Sequence, residues 1–178
     1  MNESLSPQLE LARKWLIQLN CGVEVMPADL SVGRPFTALG VTRAMSKFLV
    51  FETEKGVLVV TLLVSPGTDV RDVANSLSHE AQVKMLDLVK STLISDPRTG
   101  FDIIPADAAR IGAVQAIRLE QLMRIDDGSV SSFNKFEDSI QSVVSGAVRV
   151  SNLYIAAFRP AGAARDKKGE KPVGPGYG

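Results

Sequence analysis

The chain has 178 residues, enough to bury one sizeable core and too few for two ordinary domains. Its 45% hydrophobic and 22% charged residues are a globular composition, which excludes a natively disordered chain. Lys plus Arg and Asp plus Glu number 20 each, so there is no basic surplus to grip a phosphate backbone and no net repulsion between copies.

One cysteine, Cys21, excludes an intramolecular disulfide. The start MNESLSPQLE lacks a cationic segment followed by an apolar run, so no signal peptide is expected. Apolar runs stay well below the roughly 20 residues that cross a bilayer. A soluble, cytoplasmic protein is expected, with no nucleic-acid and no membrane partner.

Ser6 and Pro7 open the first helix, Ser6 as cap and Pro7 at the first position, where a missing N–H costs nothing. Leu9, Ala12, Trp15, Leu16 and Leu19 form its apolar stripe, which places Trp15 in the core, and Gly22 is where it is expected to stop. Residues 23–35 carry Pro27, Gly33 and Pro35 and read as a loop, with a short extended piece at Val23, Glu24 and Val25. Residues 36–42, FTALGVT, read as the first strand, weakened or bulged at Gly40. The next stretch, 47–64, reads as two strands around a tight turn in which Gly56 takes positive φ.

The second of these strands, 57–64, is VLVVTLLV and apolar on both faces. A sheet with one wet face alternates. This strand is therefore either central and covered twice, or it turns one face to another molecule. Phe51, Val57, Val59 and Leu63 are the candidate interface residues.

A helix follows to about residue 95, starting at Asp69 or restarting at Ser78, with Ser78 as cap and Glu80 at the positive end of the dipole. Its expected apolar face is Ala81, Met85, Leu88, Val89, Thr92 and Leu93. FDIIP at 101–105 is a short strand, and 106–112 a connection. Over 114–125 a period of two puts Ile117, Leu119, Met123 and Ile125 on one face and Arg118, Glu120 and Arg124 on the other, as suits an exposed or edge strand. Ser129 or Ser131 caps the longest helix, whose apolar face runs from Phe133 to Tyr154 and is interrupted by Gly146 at about 1 kcal/mol against Ala. Residues 1–158 form a single domain. The remaining 159–178 hold Pro, Gly and Lys with almost nothing apolar and read as a disordered tail. Its Lys167, Lys168 and Lys171 are diluted by Asp166 and Glu170.

The chemistry-bearing inventory is thin. His79 and Cys21 are alone among imidazoles and thiols, which excludes a structural zinc site, and Asp69, Asp72 and Glu80 lack a calcium-loop pattern. Ser78 and His79 are adjacent and point apart on a helix, so they form no dyad. Neither a nucleophile elbow nor a phosphate-binding glycine loop is present. Asp102 and Asp107 flank a strand end and read as turn carboxylates. No catalytic residue, cofactor or metal is expected, and the protein is not expected to be an enzyme.

The expected fold is α+β, in the order α-β-β-β-α-β-β-α, a five-strand antiparallel sheet with helices packed mainly on one face. Carried by 7–20, 36–64, 78–95, 101–125 and 129–158, this order resembles the fold of type III secretion chaperones and the related bacterial YbjN-like proteins. That resemblance implies a non-enzymatic, dimeric module that binds extended peptide segments on apolar sheet surface. The expected function is a protein-binding, chaperone-like module acting as a homodimer. The alternative is a small-ligand-binding protein or enzyme with a pocket between sheet and helices, near Asp102, Asp107 or His79.

Overall fold

The computed structural model describes residues 5–28, 36–53, 56–65, 67–94, 98–105, 114–125 and 127–158, apart from the side chains of Phe36, Asp69 and Asn75. Asp107 and the tail 159–178 lie outside them. The elements run α1 (Pro7–Gln18), β1 (Gly22–Ala28), β2 (Phe36–Arg43), β3 (Ser46–Glu52), β4 (Leu58–Val64), α2 (Thr68–Ser76), α3 (His79–Ile94), β5 (Gly100–Pro105), β6 (Val114–Met123) and α4 (Val130–Phe158). The class is α+β as expected. The sheet has six strands rather than five, in the order β1-β2-β3-β4-β6-β5, and every neighbouring pair is antiparallel.

The added strand is β1, in the segment expected to be a loop. Pro27 argues against a strand because it cannot donate to a ladder, but β1 is an edge and pairs with β2 alone, where a proline is tolerated. The opposite correction falls on β6. Its charged face suggests an edge, yet β6 lies between β4 and β5. The charges are matched across strands: Arg118 Nη2 stands 2.7 Å from Asp102 Oδ2 on β5, its register partner.

Ser6 caps α1, accepting from the Leu9 N–H at 3.2 Å, and its hydroxyl also donates to the Glu52 carboxylate at the end of β3. The helix stops before Gly22. Asn20 takes φ 58°, its N–H bonds the Ile17 carbonyl and the Cys21 N–H bonds that of Leu16, a Schellman closure built on Asn. Gly56 takes the expected positive φ, 68°, in the β3–β4 turn, which the Thr53 N–H closes onto the Val57 carbonyl at 2.9 Å. Of the two starts left open after β4, at Asp69 or again at Ser78, the structure has both, as separate helices broken at Leu77, whose backbone is extended. Ser78 caps α3 as expected, accepting from Ala81 at 3.4 Å. The buried face of α3 is rotated: Gln82, Val89 and Leu93 face inward, and Leu88 is 48% exposed. Gln82 is admitted because its amide donates to the Ala74 carbonyl on α2 at 3.3 Å. Ser129, not Ser131, caps α4, accepting from the Ser132 N–H at 3.2 Å. The Asp127 carboxylate in turn accepts from Ser129 N–H and Ser132 Oγ.

All four helices pack on one face of the sheet. Leu39, Val41, Phe48, Val50, Leu58, Val60, Ile117 and Leu119 from the strands join Leu16, Val89, Phe136 and Ile140 from the helices in one continuous core. Trp15 belongs to it, meeting the Phe133 ring edge-on at 5.8 Å and Phe136 at 5.5 Å. Ala38, Val59 and Ala116 are also buried but stand outside that core, on the other side of the sheet.

Candidate functional site: the open face of the sheet

In a strand, successive side chains leave by opposite faces. Leu58, Val60, Leu62 and Val64 of β4 point into the helix layer. Val59, Thr61 and Leu63 must therefore point the other way, where no described helix lies. Register carries the pattern across the sheet: Phe51 stands opposite Val59, Leu49 opposite Thr61, Gly40 opposite Leu49, Leu122 opposite Val59 and Arg118 opposite Leu63.

This face is hollowed. A groove of about 580 Å³ lies over β1 to β4 and reaches Arg118 on β6. Gly40 forms part of its floor: a Cβ there would meet the Met26 thioether sulfur at 2.8 Å, so the missing side chain lets Met26 lie over the sheet. Val59 and Thr61 are 4% and 5% exposed, sunk among their neighbours. Thr61 spends its hydroxyl on the Leu119 carbonyl at 3.1 Å, so it adds no free donor to the groove. Leu63 and Leu122 are 55% and 61% exposed.

The four candidate interface residues thus divide. Phe51 and Leu63 are on the open face, Phe51 half-buried and Leu63 exposed. Val59 is on that face but too buried to make a first contact. Val57 is half-buried and precedes the strand, in the turn. Met26, Leu49, Leu122 and Arg118 join the site without having been singled out. Leu122 shares the parity of Arg118 and Glu120, the one signal in sequence that could have placed it there. Met26 was hidden by its neighbour Pro27.

Of the groove's charged residues, Glu24, Lys47 and Arg118, the arginine is held by carboxylates beside the groove. Arg118 bonds Asp102 and lies 3.9 Å from Glu120 through Nε. His79 is exposed at the start of α3, and Glu80 is paired with Lys84 at 2.7 Å. Among the described residues no three His, Cys, Asp or Glu side chains converge as a metal site requires. Between sheet and helices, the space bounded by Ala74, Gln82, Met85, Val114 and Tyr154 amounts to about 10 Å³, at most one water. No described helix is long and apolar enough to cross a membrane.

No family model matches this chain, and no curated protein does. Its structure is similar to that of an uncharacterized protein from Methanothermobacter thermautotrophicus, with a TM-score of 0.66 over 85% of this chain and 99% of that one, at 14% sequence identity. At that identity the likeness is one of fold.

Proposed function

We propose that this protein is a non-enzymatic, cytoplasmic protein-binding module of chaperone-like kind, and that the first occupant of its open sheet face is a second copy of the chain. The observation behind this reading is the two-sided apolar strand β4, whose one face is covered by α4 while the other ends in the exposed Leu63 beside a groove. Large exposed apolar residues clustered around a concavity mark a surface that gains by being covered. The face also carries both signs, Lys47 and Arg118 with Glu24, Asp102 and Glu120. Two copies related by a two-fold axis can therefore set opposite charges together around an apolar centre. Zero net charge leaves no long-range repulsion against this pairing. The resemblance to secretion chaperones points the same way.

The test is solution mass by light scattering over a dilution series, with wild type and Leu63→Asp. The expected wild-type mass is twice 19.1 kDa, falling to one chain in the variant with unchanged circular dichroism. Leu63 suits the test because it is exposed, whereas a charge at buried Val59 would unfold the sheet and say nothing about an interface. A wild-type monomer at every concentration overturns the dimer. A peptide array on which wild type and Leu63→Asp bind alike, or not at all, overturns the protein-binding reading of this face.

A further inference from the structure

The open face carries two charged side chains that the fold itself does not use. Glu24 on β1 and Lys47 on β3 are exposed and line the groove, and neither makes a hydrogen bond or ion pair with a described residue. Arg118, the third charged residue of the groove, is already held by Asp102 and Glu120. Register fixes where the two open charges stand. Glu24 faces Gly40 on β2, Gly40 faces Leu49 on β3, and Thr42 faces Lys47. Glu24 and Lys47 are therefore two strands apart and offset by two residues, about 10 Å across the sheet and about 7 Å along it. We infer that the second copy proposed above for this face is held in one orientation, with Glu24 of each copy paired to Lys47 of the other. This rests on that reading and gives it a geometry.

A two-fold axis lying between two facing sheets exchanges the two positions, so one contact brings its twin. That axis bisects the line from Glu24 to Lys47. It crosses β2 between Gly40 and Thr42 and runs on past Leu49 towards Phe51 and Val59. The strands of the two sheets then cross at about 70°, near the orthogonal class of sheet packing. Three observations fit this placement. The axis crosses β2 where Gly40 has no side chain and the Met26 sulfur lies low over the backbone. Leu49 and Phe51, both half-buried, meet their own counterparts beside the axis. Leu63, 55% exposed, falls next to Met26 of the second copy, itself 36% exposed. One operation thus covers the apolar side chains and neutralises both open charges. Packed sheets stand about 10 Å apart, a gap that a Glu and a Lys side chain close between them.

The test is a charge-swap cycle on the full-length chain, read as the dimer dissociation constant from sedimentation over a dilution series at low salt. Glu24→Lys and Lys47→Glu each set like charges together at both contacts, and each is expected to raise that constant about tenfold or more. The double variant restores opposite charges and should return to within about threefold of wild type. Lys14→Glu, exposed on α1 in the helix layer, changes the net charge as Lys47→Glu does and should leave the constant unchanged. Both swapped positions are exposed, so all four variants should keep the wild-type unfolding midpoint, and recovery in the double variant separates a lost contact from a lost fold. A wild-type dimer that neither single swap weakens, that Lys14→Glu weakens as much, or that the double variant fails to restore overturns the pairing and leaves the dimer standing. A wild type that is monomeric at every concentration overturns the dimer and the pairing together.

Discussion

Cys21 and Tyr154 show how burial sets the chemistry of single side chains. Cys21 is 9% exposed, and desolvation raises its thiol above the ordinary value of 9.0, with Arg43 pulling weakly the other way. The thiolate is the nucleophile, so a buried, protonated thiol is inert. Iodoacetamide at pH 8 is expected to modify Cys21 slowly in the native protein and rapidly in urea; equal rates would show that the α1–β1 junction opens freely. Burial likewise pushes the Tyr154 phenol up from 10.0 to about 12. The fold holds that proton more tightly than the unfolded chain does. Its stabilisation is therefore complete below pH 10 and is lost as pH rises from 10 towards 12. Tyr154→Phe is expected to flatten this alkaline decline in urea midpoints between pH 9 and 11.5, leaving neutral pH little changed.

At the scale of the element, α4 is the member that the others lean on. It runs for 29 residues without a break at Gly146. The reason for that glycine is distance: a Cβ there would stand 3.2 Å from Leu119 Cδ1 on β6, so helix and sheet meet backbone to side chain. Gly146→Ala sets a helix-propensity gain of about 1 kcal/mol against a contact that Leu119 must yield to. The two nearly cancel, and a change within about 1 kcal/mol is expected. Gly146→Val, with two further methyls and a β-branch, is expected to destabilise by about 1–3 kcal/mol in urea unfolding. A Val variant as stable as wild type would mean that α4 can lift from the sheet. The start of α4 is tied by Asp127, whose carboxyl is held below the usual range by hydrogen bonds from Ser129 and then Ser132. That contribution is in place above the ordinary carboxylate value and is lost as pH falls through the lower folded one.

For the whole molecule, the sheet is a partition with a dry side and an open side. The dry side is keyed by Trp15, Phe136 and Ile140, where α1 and α4 meet over the strands. Phe136→Ala is expected to cost about 3–5 kcal/mol, and to shift Trp15 emission to the red as water reaches the ring. An unshifted Trp15 would mean that α1 repacks onto α4. The open side leaves Leu63 and Leu122 exposed, contributes less to stability, and is the side for which a second copy is proposed. Leu63→Asp should therefore change the solution mass while leaving the unfolding midpoint nearly intact.

Much of this was legible from residue order because it rests on local chemistry. The Ser6–Pro7 cap, the positive φ at Gly56, the Ser78 cap and the apolar stripe of α4 each follow from neighbours within a few residues, which any fold containing them must satisfy. The apolar run 57–64 likewise announced a strand valued on both faces. The sequence could not say what stands beside what. Whether Pro27 ends a strand or rides on an edge depends on pairing with β2 alone. Whether Arg118 and Glu120 face water or a neighbour depends on β5 closing beside β6. Gln82 is inside and Leu88 outside because α3 seats against α4 beside the end of α2, where the Gln82 amide reaches the Ala74 carbonyl. Val59 is buried without a helix above it because it stands between its cross-strand neighbours Phe51 and Leu122. These are non-local quantities, set by which strands and helices come together, and the tertiary structure alone fixes them.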